Sequence, residues 1–211
     1  MIWMMKPRKK SWKLFRGTKR VDYKTKTTSR EELRGIARFV RKLFKCKNKY
    51  RFDVMDAFER IPSVIPAVTC LVVEDDEIEG GVPARCVPDF EGHYTIEVKS
   101  SIYDGAAEGV GGYRAHILHE ICHAILCLLG FTPILDRAFQ NNELKPFESM
   151  EWQAKALCGE ILMPYEETEG LSVRQIRHLC QVSRESAELR YNNYRKPESK
   201  TPLERRAQQW F

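Results

Sequence analysis

Two histidines and a glutamate lie close together in the stretch H-E-I-C-H, from His119 to His123. The neighbouring residues are apolar and helix-compatible, and Gly130 offers a C-terminal stop. On an α-helix, side chains four residues apart lie on the same face, so the two imidazoles project together. Neutral imidazole nitrogens suit Zn²⁺, and Glu120 can reach a metal-bound water without being a ligand. The spacing H-E-x-x-H therefore indicates a metal site with the glutamate as general base.

The pentapeptide also has a simpler interpretation. It specifies three residues, so it sometimes arises by chance, and a helix in a large core can carry a satisfied histidine. Two observations favour the metal site. Two unliganded histidines and a glutamate would be costly to bury in an apolar helix, and a third candidate ligand follows downstream.

That third ligand is predicted on a second helix, in residues 149–164. A catalytic zinc site has three protein ligands and one position open for water. Glu151 shares the inward stripe of Ala154, and a carboxylate on a buried face needs a partner such as a metal. Glu148 lies on almost the same face and is the alternative. We favour Glu151 because small Ala154, one turn on, would let the two helices approach closely.

The two motifs together resemble the ImmA/IrrE family of zinc metallopeptidases. This family typically shows H-E-L-G-H and then E-x-x-A-x-x-F-A-x-x-L-L-M-P, where this chain has H-E-I-C-H and E-W-Q-A-K-A-L-C-G-E-I-L-M-P. The resemblance covers residues 30–190, and its specific part is 114–164. The matching residues are Arg114, His119, Glu120, His123, Glu151, Ala154, Glu160, Leu162, Met163 and Pro164.

The chain departs from the family pattern at positions that would line the pocket. Cys122 stands where Gly is usual, His116 where Thr is usual, and Leu157-Cys158 where Phe-Ala is usual. None of these departures removes a ligand or the base. They bear on the pocket lining and on substrate choice.

The resemblance implies a zinc peptidase that cuts a helix-turn-helix transcriptional repressor at one peptide bond. Zn²⁺ would be held by His119, His123 and Glu151, with Glu120 as the base. A further group must stabilise the oxyanion. The sequence does not choose among four candidates. His116 faces the same way as His119, but a supporting or core polar role is favoured for it over contact with the oxyanion. The candidates are His93, Tyr113, His116 and Tyr165.

Three other functions remain open from the sequence. The chain can be a DNA-binding regulator, a metal-sensing or structural zinc protein, or a toxin–antitoxin-like partner with a vestigial peptidase. The intact Glu120 argues against a purely structural zinc site, because such a site needs no base.

Composition indicates a cytoplasmic protein. The chain has 211 residues, enough for one core with a small appendage. No apolar run approaches the ~20 residues of a membrane span, and the basic start has no apolar signal core. The seven cysteines form no C-x-x-C pair. They favour reduced core thiols over a disulfide framework.

Positive charge is concentrated at the start of the chain. Residues 1–51 hold 19 Lys or Arg against 3 Asp or Glu, whereas residues 52–211 hold 16 against 26. A basic arm on an acidic body can bind nucleic acid, contact an acidic partner, or dock on its own body. Residues 1–28 lack a hydrophobic period, so we expect a largely disordered tail there.

The rest of the chain is predicted to have an α+β fold. Residues 29–167 would form a helical zincin-like core with a small antiparallel sheet, and residues 168–211 a C-terminal helical appendage. A capping-box signal at Ser29 predicts one helix. Another helix is predicted from Phe52 to Ile61, and it is expected to end before Pro62.

Strands and connections complete the expectation. Residues 67–73 and 93–98 are predicted strands, and residues 79–92 between them irregular. The Gly-rich stretch 105–112 is typical of a flexible cleft rim, but also of any long loop. Two short helices in 171–194 resemble a helix-turn-helix. We expect their exposed charges to carry substrate recognition, although such helices can also simply cap the core.

Overall fold

The computed structural model of the protein describes residues 22–89, 91–134 and 144–195. In these ranges, eight α-helices surround one three-stranded sheet, so the fold is mixed α and β. The elements in chain order are α1 (Arg30–Leu43), α2 (Val54–Val64), β1 (Val68–Val73), β2 (Ala84–Pro88), β3 (Tyr94–Lys99), α3 (Ser100–Ala107), α4 (Gly111–Leu128), α5 (Met150–Leu162), α6 (Tyr165–Thr168), α7 (Val173–Cys180) and α8 (Arg184–Arg195).

The sheet is mixed, so the expectation of an antiparallel sheet is wrong. Its strand order is β1-β3-β2, with β3 parallel to β1 and antiparallel to β2. Residues 84–88 were expected to be irregular but form β2. The last strand, β3, therefore lies in the middle of the sheet, and β2 runs opposite to both of the other strands. The strand predicted at residues 93–98 is confirmed as β3, and its Ile96 and Val98, two residues apart, are fully buried.

Helix α1 begins where its capping signal predicts. The Ser29 hydroxyl accepts a hydrogen bond from the Glu32 amide, and the Glu32 carboxylate accepts one from the Ser29 amide. Leu33, Ala37 and Val40 are buried along one side of the helix. This face packs α1 against α5, which carries the candidate third ligand.

The predicted stop before Pro62 is wrong, because α2 continues through the proline to Val64. Pro62 lies in the last turn of the helix and its side chain is exposed. A proline there removes one amide donor but leaves the later bond from the Ile65 amide to the Ile61 carbonyl, at 2.7 Å. Burial of Ile61 and Phe58 supports the final turn.

The Gly-rich stretch is mostly helical and does not form a flexible rim. Gly105 lies in α3, and a Cβ atom there would collide with the Tyr113 ring. A Cβ at Gly111, the first residue of α4, would be 3.1 Å from the backbone between α7 and α8. These two glycines are therefore sites of close packing. Residues 108–110 are all that connects α3 to α4.

Residues 22–28 form an ordered segment, which we call the strap, against the start of α5. The Thr25 amide donates to the Glu148 carbonyl at 2.9 Å, and the Met150 amide donates to the Tyr23 carbonyl at 3.0 Å. Thr25 and Thr28 are buried. The expectation of a disordered tail is therefore wrong for residues 22–28, and residues 1–21 lie outside the described ranges. The sequence did not predict the strap because its polar residues have no hydrophobic period.

The two C-terminal helices pack on the same hydrophobic core as the rest of the chain. Ile176 and Cys180 of α7 and Ala187 of α8 are buried in that core. The Ser183 hydroxyl caps α8 by accepting a hydrogen bond from the Ser186 amide at 3.1 Å. The division at residues 167 and 168 stays a prediction.

All seven cysteines are free thiols. Among the described helices, none combines the length and the apolar character needed to cross a bilayer.

The strap predicts a difference between two truncated chains. A chain that starts at Ser29 loses the hydrogen bonds of the strap to the start of α5, which together contribute about 2–4 kcal/mol. We expect it to melt about 10 °C below a chain that starts at Asp22. Differential scanning calorimetry of both chains measures this, and equal melting temperatures would show that the strap is energetically neutral.

Candidate metal centre

Helix α4 places the two motif histidines side by side. Their spacing of one turn brings the Nε2 atoms of His119 and His123 to 3.1 Å from each other, with the rings edge to face. The His119 residue is 6% exposed, and its neighbours Leu118, Ile121 and Cys122 are fully buried. The apolar residues of the motif thus hold the helix in the core, while the imidazoles converge on one point.

Glu151, in the first turn of α5, completes the cluster. Its Oε1 atom lies 3.1 Å from Nε2 of His123, and its Oε2 atom lies 3.5 Å from Nε2 of His119. Burial by itself would raise the pKa of Glu151. The hydrogen bonds and charges of the two histidines outweigh it, so this pKa lies well below the ordinary value. Glu151 is therefore a carboxylate at neutral pH.

The position of Glu151 depends on a strap residue that sequence reasoning missed. The Ser149 hydroxyl caps α5 by accepting a hydrogen bond from the Trp152 amide at 2.9 Å. Asp22 accepts one hydrogen bond from that hydroxyl at 2.6 Å and another from the Glu151 amide at 3.1 Å. The strap carboxylate thereby orients the helix turn that carries the candidate ligand. Only a contact across 127 residues of chain reveals this role.

The donor set fits a divalent metal ion. One potential ligand atom from each of His119, His123 and Glu151 lies within 4.8 Å of the other two. Two imidazole nitrogens and a carboxylate oxygen are a ligand set that Zn²⁺ takes in proteins. Glu148, the alternative in the sequence, pairs instead with Lys24 at 3.2 Å. The structure therefore groups Glu151 with the histidines.

Glu120 follows His119 in α4 and is outside the candidate ligand set. The residue is 7% exposed. Burial and then the charge of Glu120 raise the pKa of the Cys86 thiol on β2. A buried carboxylate that follows a candidate metal ligand in the chain is the candidate general base.

A cleft of about 710 Å³ opens next to His119. Helix α4 contributes His116 and His119 to its lining, α5 contributes Trp152 and Lys155, and α8 contributes Leu189. The chain just before β2 forms another part of the wall. The cleft thus extends from His119 to α8, one of the two C-terminal helices that were expected to carry recognition.

The four oxyanion candidates have different positions. His116 lines the cleft together with His119. The exposed His93 ring is 3.2 Å from the Asp89 carboxylate, and Tyr113 packs against Gly105. The Tyr165 ring lies under the guanidinium of Arg34, at 3.5 Å. Of the four, His116 is the one that the structure brings to the cleft.

Two departures from the family pattern lie together between the ligand helices. Cys122 of α4 and Cys158 of α5 are both buried, and Cys158 also lines the cleft. Burial and then a hydrogen bond with Cys158 raise the pKa of the Cys122 thiol, so it stays protonated. The two thiols thus contact each other where α4 and α5 pack.

Comparison with known proteins leaves the class of this protein to be argued from its site. No protein-family model matches the chain, and no significant match is found among curated proteins.

The cluster predicts the metal content of purified variants. The wild-type chain should carry about one metal ion, and His123→Ala or Glu151→Ala should reduce it below about one-tenth, because each removes one of three ligands. Inductively coupled plasma mass spectrometry measures the content. Glu148→Ala is the matched control and should keep the metal. A stoichiometric content in both ligand variants would disprove the assignment.

Proposed function

We propose that the protein is a zinc-dependent endopeptidase with a zincin-like core. One observation carries the proposal: His119, His123 and Glu151 converge on one point, His119 lines a cleft, and the buried Glu120 follows His119 in α4. Such a set, three ligands and an adjacent base at an open cleft, is what metal-assisted hydrolysis of a peptide needs. The resemblance to the ImmA/IrrE motifs supports the same class.

Zn²⁺ bound to the three ligands would lower the pKa of a water to about 7 and polarise the scissile carbonyl. Two residues of the chain would carry out proton transfer and stabilisation of the oxyanion. Glu120 removes the proton of the attacking water and then delivers it to the leaving amine. His116 is the candidate donor to the oxyanion, because it lines the cleft one turn from His119.

The proposed substrate is a helix-turn-helix transcriptional repressor in the cytoplasm, cut at a specific site. This substrate class comes from the family resemblance. The cleft supports selective recognition, because α8 forms part of its wall. Selectivity is needed, since a generic zinc site would cut many peptides.

The alternative is a DNA-binding or protein-binding regulator whose zinc site is structural or vestigial. Its main support is the basic start of the chain, of which residues 1–21 lie outside the described ranges. Nucleic-acid contact by that arm therefore stays a prediction. The buried position of Glu120 beside the ligands favours the peptidase.

Replacing the base separates these functions. We expect Glu120→Gln to retain the metal, because Glu120 is not a ligand, and to lose cleavage by a factor of about 10²–10⁴. Cleavage of a helix-turn-helix repressor offered as substrate, followed by mass spectrometry, measures the rate. Glu31→Gln, an exposed position on α1, removes the same charge and should cleave normally. Undiminished cleavage by Glu120→Gln would assign the base elsewhere.

A further inference from the structure

We propose that the cleft beside the metal cluster receives an acidic side chain of the substrate, held by Arg30 and Lys155. The inference rests on the proposed peptidase function, because that function makes the ligand of the cleft a peptide. It adds a substrate preference that the hydrolytic residues do not determine. The argument depends on the charges, the exposure and the spacing of the lining residues.

The lining of the cleft carries positive charge that no lining carboxylate balances. Three lining residues are Arg or Lys, and two more are histidines. Among the described residues of the lining, none is Asp or Glu. An anionic side chain entering this cleft would meet complementary charge, and a cationic one would be repelled. The cationic lining residues are Arg30, Lys155 and Arg190.

Arg30 is held in place while part of it stays exposed. Its Nη1 atom lies 3.7 Å from Glu160, and its guanidinium lies 5.4 Å from the centre of the Trp152 ring. Its side chain is nevertheless 39% exposed. A guanidinium fixed in this way loses little rotamer freedom when it binds a carboxylate, which favours tight contact.

The carboxylate of Glu160 does not cancel this charge. Arg190, which is 3% exposed, contacts both oxygens of Glu160 at 3.1 and 3.0 Å. Arg30 and Arg34 approach the same carboxylate at 3.7 and 3.9 Å. Glu160 by itself therefore does not neutralise all three guanidinium groups, and its two shortest contacts are with Arg190.

Lys155 supplies positive charge nearer the metal cluster. Its side chain is 64% exposed, and its Nζ atom lies 3.4 Å from Oε2 of Glu151. Lys155 is four residues from Glu151, a rise of about 6 Å along α5. An extended peptide advances about 3.3 Å per residue, so the acidic side chain would lie about two residues from the scissile bond.

The remaining lining indicates a peptide in preference to a nucleic acid. Val82, Trp152 and Leu189 give the cleft apolar walls, and most of its exposed lining is apolar. These walls suit apolar residues on either side of the acid. A phosphate backbone would gain little from them.

The test compares three blocked peptides that differ in one side chain. Acetyl-Leu-Glu-Leu-amide and its Gln and Lys counterparts are titrated into full-length Glu120→Gln protein at low ionic strength, and NMR shifts give the affinities. We expect the Glu peptide to bind about tenfold more tightly than the Gln peptide and the Lys peptide to bind most weakly. The preference should shrink with added salt.

Two variants and one control locate the preference. Combining Glu120→Gln with Arg30→Gln and Lys155→Gln should remove the difference between the Glu and Gln peptides. Lys42→Gln, at an exposed position of α1 outside the cleft, removes a charge elsewhere and should preserve it. Circular dichroism of each variant shows whether the fold is intact, and Arg30→Gln alone should halve the preference or more.

Each remaining outcome decides against the subsite. Equal affinities for the Glu and Gln peptides, or undetectable binding of the Glu peptide, would overturn it. So would a preference for the Glu peptide that survives in the protein with Glu120→Gln, Arg30→Gln and Lys155→Gln. Tighter binding of a hexathymidylate probe would assign the cleft to nucleic acid. These results are separate from the proposed hydrolysis: a chain without metal or cleavage can keep the Glu preference, and an active peptidase can lack it.

Discussion

The contact between α4 and α5 is the constraint on which the candidate site depends. The histidines come from α4 and the carboxylate from α5, so no local segment contains all three ligands. Ala154 is fully buried in the core, and Leu157 and Ile161 continue the apolar face of α5. Small and apolar residues along this seam let the helices approach until Glu151 reaches both imidazoles. The convergence of Glu151 with the two histidines therefore depends on hydrophobic packing between α4 and α5.

Helix α5 carries two sheltered carboxylates with different surroundings. Glu151, half-buried, meets two histidines and Lys155, whereas Glu160, fully buried, meets guanidinium groups. Burying a charge is costly unless a partner compensates it, so each carboxylate determines what must pack beside it. At Glu160 the compensation comes from α1 and α8. This pairing connects α1 and α8 to the helix that carries the candidate third ligand.

The strap adds a second link between the start of the chain and the site. Asp22 contacts the first turn of α5, and the strap backbone pairs with residues just before it. Polar capping contacts of this kind orient a helix end without burying much apolar surface. The candidate ligand Glu151 is consequently positioned by packing from α4 on one side and by hydrogen bonds from the strap on the other.

The sequence by itself determined the local features of this protein. Caps and periodicity predicted α1, α5 and the placement of His119 and His123 on one helix face, because these depend on residues one turn apart. Only the tertiary structure decided that Glu151, and not Glu148, lies against the two histidines. It also decided that β3 lies between the other strands, that residues 22–28 form the strap, and that the cleft is lined by cationic residues. Each of these depends on contacts between residues far apart in the chain. Such contacts are set by how the helices and strands pack, which no local pattern encodes.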